Sequence, residues 1–425
     1  MEQQKKIPEL LSPAGNLKKL KIALEYGADA VYGGVSHFSL RTRAGKEFTF
    51  DDFKEGVEYT HSKGKRIYVT INGFPFNSQL KLLEAHIEKM ASLSPDAFIV
   101  AAPGVVRLAK KIAPQIPIHL STQANVLNVL DAEVFYDMGV KRIVAARELS
   151  LKDAIEIKKA LPNLELEIFV HGSMCFAFSG RCLISALQSG RVPNRGSCAN
   201  DCRFDYEYYV RNPDNGVMMR LEEEEGIGTH IFNSKDLNLA AHLPTILDSG
   251  VIDSLKIEGR TKSSYYAGIA TRAYRMGIDD YCKGDFQSHI YEDELNTLKN
   301  RGFSDGYLIH RPYEKLNSQN HKTAISEGSY QVNAEIDENG IFALCRHTIR
   351  IGEAKEIVSA DYEAIKCGKS DKGEIFEKEG KKYMRFDKIV LENNKELDAI
   401  HSGNENKIVL PIPLPPFSFL REKNS

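Results

Sequence analysis

The chain has 425 residues, 42% of them hydrophobic, with 56 Lys+Arg against 58 Asp+Glu and a formal net charge of −2 at pH 7. That balance excludes the global basic field of a nucleic-acid coat protein, so any RNA contact must rest on a local patch. A single core rarely grows past about 250–300 residues, so two domains are expected.

From the N-terminus, short apolar runs alternate with amphipathic helical patterns. Leu10–Ser12 precedes the helical NLKKLKIALEYG, ADAVYGG precedes FDDFKEGVEYTHSKG, and RIYVTING precedes LKLLEAHIEKMASL. DAFIVAAP leads to GVVRLAKKIAP, PIHLSTQ to VLDAEVFYDMG, and RIVAAREL to LKDAIEIKKALP. LELEIFV is the seventh strand. SLKIEGR, followed by SSYYAGIATRAYRMG, is the eighth. Strand-helix alternation imposes parallel pairing with right-handed crossovers. Eight units in roughly 280 residues predict an α/β fold, a (β/α)8 TIM-like barrel over residues 1–320, with an open doubly wound sheet as the alternative.

Between units seven and eight lies an insertion, residues 171–250. It carries Cys175, Cys182, Cys198 and Cys202, the acidic run Glu222–Glu225, and HIFNSKDLNL. The acidic run reads as a solvated face, whereas so long a connection inside a compact domain is usually functional. After about Asn320 helical periodicity ends. QVNAEID, IFALCRH, EAKEIVSA, GEIFEKEGKKYMRF and NKIVLPIPL are short and alternating, which predicts a small all-β barrel of about six strands over 321–425. No run of eighteen apolar residues occurs, and MEQQKKIPELLSPAG has no apolar signal core. A cytoplasmic protein without a membrane span is expected.

In a (β/α)8 barrel the C-terminal strand ends carry the active site. Those ends hold Asn72 and Gly73, His119, Thr122 and Gln123, Arg147 and Glu148, and on the eighth strand Lys256, Glu258 and Arg260. The resulting mouth is polar, with donors suited to a small anionic ligand. Each residue alone is equally compatible with barrel packing or a loop salt bridge.

The four clustered cysteines follow C-x6-C-x15-C-x3-C. Four thiolates from one loop could hold a tetrahedral Zn²⁺ or an iron–sulfur cluster. Only CANDC has the short spacing of a zinc knuckle, so the pattern leans toward the cluster. The bland alternative is four small buried hydrophobes. His171 and Cys175 could instead pair as base and nucleophile of a peptidase, although such partners usually meet across a fold and three thiols would go unexplained. The loop also carries Arg181, Arg191, Arg195 and Arg203 interleaved with Phe176, Phe178 and Phe204. That combination can follow a phosphate backbone and stack an exposed base, or the arginines can pair with Glu222–Glu225.

The string E-x-F-x-x-G-S-M-C-x4-G-x-C-x-I-S from Glu167 to Ser185 resembles the signature of the collagenase-like peptidases, peptidase family 32 of unknown catalytic type. ELLSPAGNLKKLKIALEYGADAVYGG, NSKDLNL, LKIEGR and the C-terminal β domain are similar to that family as well. The resemblance implies oxygen-independent hydroxylation of RNA, in the tRNA-modifying branch the conversion of wobble uridine to 5-hydroxyuridine with prephenate as oxygen source. It also implies a [4Fe–4S] cluster on Cys175, Cys182, Cys198 and Cys202. The expected partners are tRNA and a small anionic co-substrate. The expected catalytic residues are His171, Lys256, Glu258 and Arg260, and the expected substrate-binding residues are Asn72, His119, Gln123, Arg147, Arg181 and Arg203. Proteolysis by Cys175 and His171, and a metal-stapled RNA-binding module, are the alternatives.

Overall fold

The structure is a computed structural model that describes residues 6–35, 38–39, 48–175, 177–191, 193, 198–204, 206, 208–221, 233–310, 318–320, 326–403 and 407–424. Seven parallel strands come first: β1 (Glu9–Pro13), β2 (Ala30–Gly33), β3 (Arg66–Ile71), β4 (Ala97–Val100), β5 (Ile118–Leu120), β6 (Arg142–Val144) and β7 (Glu165–Ser173). The insertion then contributes a hairpin, β8 (Tyr208–Arg211) with β9 (Met218–Leu221), and β10 (Asp236–Asn238). The eighth barrel strand is β11 (Ser254–Ile257), and it pairs in parallel with both β1 and β7. That double pairing closes the barrel, so the (β/α)8 expectation is borne out and the open sheet is not formed. A ninth neighbour, β10, runs antiparallel on the end of β7 and carries β12 (Phe303–Ser304).

Helices α1 (Leu17–Glu25), α2 (Phe50–Ser62), α3 (Leu80–Ala91), α4 (Pro103–Ile112), α5 (Val129–Asp137) and α6 (Leu151–Ala160) follow the first six strands. Their starts are fixed by local chemistry. Asn16, Thr49, Asn128 and Ser150 each accept a backbone N–H of the first turn, and Thr49 and Ser150 form reciprocal capping boxes with Asp52 and Asp153. The insertion adds α7 (Ile184–Ser189) and α8 (Leu243–Ser249), and α9 (Ser264–Lys283) and α10 (Ser288–Asn296) follow β11. Among the described residues no helix is long and apolar enough to cross a membrane.

Strand alternation divides the core in two. Outward side chains such as Leu10, Val31, Ile67 and Phe98 join the helix ring in the large core. Inward Leu11, Ala30, Tyr32, Tyr68, Ala97 and Ile99 form a separate small cluster inside the barrel. Beside it lies a buried ionic chain. Glu9 accepts from Arg142 at 2.7 Å, Arg142 also reaches Glu167 at 3.1 Å, and Glu167 accepts from Lys256 at 2.7 Å. Tyr68 donates to Glu9 at 2.7 Å. Burial would push the Glu167 carboxyl up, but the Lys256 and Arg142 charges overbalance it and hold the group below its ordinary value.

The C-terminal region is all-β, as expected, but larger than six strands. Eight strands between Tyr330 and Lys423 form one antiparallel sheet over their own core, which includes Ile336, Cys345, Ile357, Met384, Phe386 and Leu420. Several of these strands are only three to five residues long, so six alternating runs in the sequence hide eight hydrogen-bonded segments. Phe419 packs edge-on against Tyr265 of α9 and beside Tyr26, and Arg421 bonds Tyr265, Glu294 and Glu356. The domain thus docks on the helix ring. At the boundary expected at 320/321, Asn320 still bonds Arg301 and Asn233 of the barrel unit, and residue 321 lies outside the described residues.

Candidate functional site

At the C-terminal mouth of the barrel a cavity of about 170 Å³ is lined by strand ends below and by the cysteine loop above. The loop is held down at two points. Ser179 gives its backbone N–H to Glu148 at 2.9 Å and its hydroxyl to the same carboxylate at 3.1 Å. Next to it Gly180, at φ +75°, lies against Gln123, where a Cβ would come within 2.5 Å of the Gln123 carbonyl oxygen. Only glycine fits there, because both the left-handed backbone and the close approach exclude a side chain. Glu148, expected at the mouth, is therefore a loop tether.

Cys175, Cys182, Cys198 and Cys202 all line this cavity, Cys175 exposed and the others half-buried. The backbone N–H of Asn200 points at the Cys198 sulfur at 3.4 Å, and the Ile184 and Ser185 backbones bond Cys182. Desolvation first, and then the neighbouring thiols, push the Cys182 and Cys202 thiols up. Arg203 opposes this at Cys202. Two thiols raised in this way, Cys182 and Cys202, ionise readily only beside a cation. Among the described residues no three His, Cys, Asp or Glu side chains converge tightly enough to hold one metal ion. Four thiols round one cavity are the soft donor set that an iron–sulfur cluster takes, so the residues present fit one.

The cavity floor is cationic and aromatic. Lys256 lies 4.3 Å from the Tyr32 ring centre and 5.7 Å from that of Phe169, and Arg147 stacks over the other side of Phe169 at 4.0 Å. Arg260 is buried and donates to Ser39 at 2.7 Å and Thr70 at 2.9 Å. With Arg203 these make four cations in the lining against one carboxylate, Glu258. Tyr32 donates to Glu258 at 3.2 Å, and burial, followed by that carboxylate, raises the phenol well above its ordinary value. Asn72 and Gln123 line the same space.

Three expected residues are elsewhere. His171 does not face the cavity. Its ring is packed among Tyr266, Tyr274 and Phe303, 5.5–5.8 Å between centres, on the outer side of β7. Burial, with Lys262 nearby, pulls it down to about 3, leaving a neutral imidazole. The cause is a β-bulge. Phe169 pairs with Lys256, but His171 pairs with the very next residue, Ile257, so one residue of β7 is skipped and the inward-outward alternation inverts. The Cys175–His171 dyad is therefore not assembled. His119 is buried beneath the cavity, edge-on to Tyr68 at 4.6 Å, and burial, then Arg142 and Lys256, hold it well below its ordinary value. It is part of the barrel interior rather than of the lining. Arg181 is exposed on the outside of the loop, beside Phe178, which is 60% exposed. Phe176, Arg195 and Glu222–Glu225 lie outside the described residues. The sequence reading missed Tyr32, Thr70, Ser121 and Phe169 in the lining and Glu167 beneath it. Counting by twos along each strand from Leu11, Ala30, Tyr68 and Glu167 would have found them.

The family model "Peptidase family U32" matches residues 15–318. The "tRNA hydroxylation protein P" of Helicobacter pylori is 71% identical over 413 residues, covering 97% of this chain and 98% of that protein. The protein of the same description from Escherichia coli is 35% identical, covering 96% and 94%. A "Collagenase" of Porphyromonas gingivalis is 30% identical, covering 71% and 73%. With the cysteine loop, the signature and every barrel strand after β1 inside the matched span, this chain belongs to peptidase family U32.

Proposed function

We propose that this chain is a tRNA hydroxylase, which converts wobble uridine to 5-hydroxyuridine in the cytoplasm with a small dianion, prephenate, as oxygen source. The observation that carries the reading is one cavity lined at once by four thiols, four cations and three aromatic rings. The names of relatives matching nearly the whole chain support tRNA as the substrate. Phe178 and Phe204, both more than half exposed, with Arg181 and Arg203 on the same loop, supply stacking faces and phosphate partners for a single-stranded RNA loop.

Cys175, Cys182, Cys198 and Cys202 would hold an iron–sulfur cluster, which supplies redox and Lewis-acid chemistry that side chains lack. This chain's own groups do the rest. Arg147, Lys256 and Arg260 bind carboxylates, Arg147 from beside Phe169 and Lys256 from between the Tyr32 and Phe169 rings. Replacement of C5–H by C5–OH is a two-electron oxidation, balanced by reduction of the oxygen donor as its C–O bond breaks. The C5 proton must also leave, and Glu258 is the carboxylate in the described lining that can take it, with Tyr32 steadying one oxygen. The cysteine loop, pinned at Ser179 and Gly180, covers the reacting atoms from water.

Anaerobic purification with iron and sulfide analysis, together with nucleoside mass spectrometry of tRNA from a deletion strain, tests this reading. Iron and sulfide should be present, should fall in each of the four Cys→Ser variants and should persist in Cys282→Ser. 5-Hydroxyuridine should disappear on deletion. Stoichiometric zinc alone, or unchanged 5-hydroxyuridine, refutes it.

A further inference from the structure

Gln123 sits in the short turn after β5, 7% exposed, with its side chain in the cavity lining. The Ser121 hydroxyl, itself buried, donates to its Oε1 at 3.2 Å. The amide nitrogen Nε2 is buried and has no hydrogen-bond partner among the described residues. A buried donor left unmade is costly, and native structures keep one where a ligand completes it. With the Ser121 hydroxyl donating to Oε1, the amide offers the cavity its N–H. This donor is neutral, in a cavity whose lining already holds four cations for any carboxylate. Its natural complement is a neutral carbonyl oxygen.

The shared cavity narrows which carbonyl. Gly180 of the cysteine loop lies against the Gln123 backbone, and the Gln123 side chain lines the same cavity as Cys175 and Cys182. In a pyrimidine, C5 is bonded to C4, while C2 lies across the ring. A base that turns C5 toward the loop therefore brings its C4 substituent to Gln123. Uracil carries a carbonyl there and cytosine an amino group, which would set N–H against N–H.

We propose that Gln123 is the residue that selects uracil over cytosine, by donating Nε2–H to the C4 carbonyl of a base unstacked into the mouth. The inference rests on the reading that C5 of a pyrimidine is hydroxylated here. A polar site of this kind rejects the wrong partner far more strongly than an apolar one.

The test uses iron-loaded full-length protein, prephenate, and anticodon stem–loop RNAs carrying uridine or cytidine at the wobble position, with the hydroxylated nucleosides measured by mass spectrometry. Wild type should prefer uridine by about 100-fold or more. Gln123→Leu should lower kcat/KM on the uridine RNA by about 10–100-fold and bring the two RNAs within about 10-fold of each other. Gln123→Glu, which offers an acceptor, should move the ratio further toward cytidine. Iron content and the KM for prephenate should stay at wild-type values in both. If Gln123→Leu does not load iron, the nearly isosteric Gln123→Glu decides. An unchanged uridine-to-cytidine ratio in an iron-loaded variant overturns the inference and leaves the hydroxylase reading standing. A wild-type preference for cytidine overturns it too, because the amide would then present its oxygen. A wild type that modifies neither RNA removes the hydroxylase reading, and the inference with it.

Discussion

Glu167→Gln isolates the buried ionic chain beneath the mouth. Glu167 is fully buried and accepts from Lys256 at 2.7 Å and from Arg142 at 3.1 Å. Arg142 would keep Glu9 and Glu165, each at 2.7 Å. Lys256, itself 4% exposed, has Glu167 as its carboxylate in the described structure and would be left with two aromatic faces. Breaking one side of a buried pair costs about 3–5 kcal/mol. The loss is capped near 4.6 kcal/mol at pH 7, the cost of deprotonating an ordinary lysine there. Urea unfolding should show a loss of about 3–4.5 kcal/mol. Adding Lys256→Met to Glu167→Gln should restore most of it, because the orphaned charge goes while its volume stays. Hydroxylation should stay low in the double variant, since the cation proposed to bind the co-substrate is gone. A Glu167→Gln loss below about 1 kcal/mol, or no recovery in the double variant, would refute the claim that the chain exists to hold Lys256 charged and in place.

Three further outcomes follow from the same geometry. His171, at about 3, and His119, held well below its ordinary value, both fold neutral. The unfolded chain therefore binds more protons below about pH 6.5, so stability is present above that pH and falls as pH drops, by about 1.4 kcal/mol per histidine at pH 5.5. His171→Phe should halve that acid slope in denaturant titrations and leave hydroxylation within a few-fold of wild type, whereas abolished activity would return His171 to the chemistry. Gly180→Ala forces a left-handed alanine against the Gln123 carbonyl, which costs about 1–3 kcal/mol locally. Iron binding and activity should fall while the global melting temperature moves by only a few degrees. Arg421→Met removes the cation shared by Glu294 and Glu356 across the domain junction. A loss of about 3–5 kcal/mol and easier proteolysis between the two domains should result.

The barrel was legible in the sequence because period-2 and period-3.6 patterns alternate cleanly from Leu10 to Gly277, and parallel pairing follows from that order. The cysteine loop was legible because its spacing is compositional. The second β-domain was legible as a class and not as a strand count, since segments as short as Gly368–Ser370 and Lys407–Val409 leave too few residues for a period to show. Glu167 and Tyr32 were hidden for a different reason. A charged or phenolic side chain at an inward position reads as an exposed residue until the barrel closes over it, and closure is a property of β11 meeting β1, some 245 residues apart from Glu9 to Ser254.

His-Gly-Ser-Met-Cys shows how one residue of register decides between two chemistries. With strict alternation from Phe169, His171 would enter the mouth four residues from Cys175, as a peptidase dyad requires. The bulge opposite Ile257 turns the imidazole outward among three aromatic rings. Gly172, at φ +112°, then admits the Glu258 carbonyl within 2.4 Å of where a Cβ would stand, which brings the ends of β7 and β11 together. Cys175 is delivered to the cavity without its base, and Lys256, Glu258 and Arg260 are delivered to the same cavity from the neighbouring strand. The same five residues that suggest proteolysis as a string therefore assemble a thiol-ringed anion pocket as a fold, and the irregularity in β7 is what separates the two.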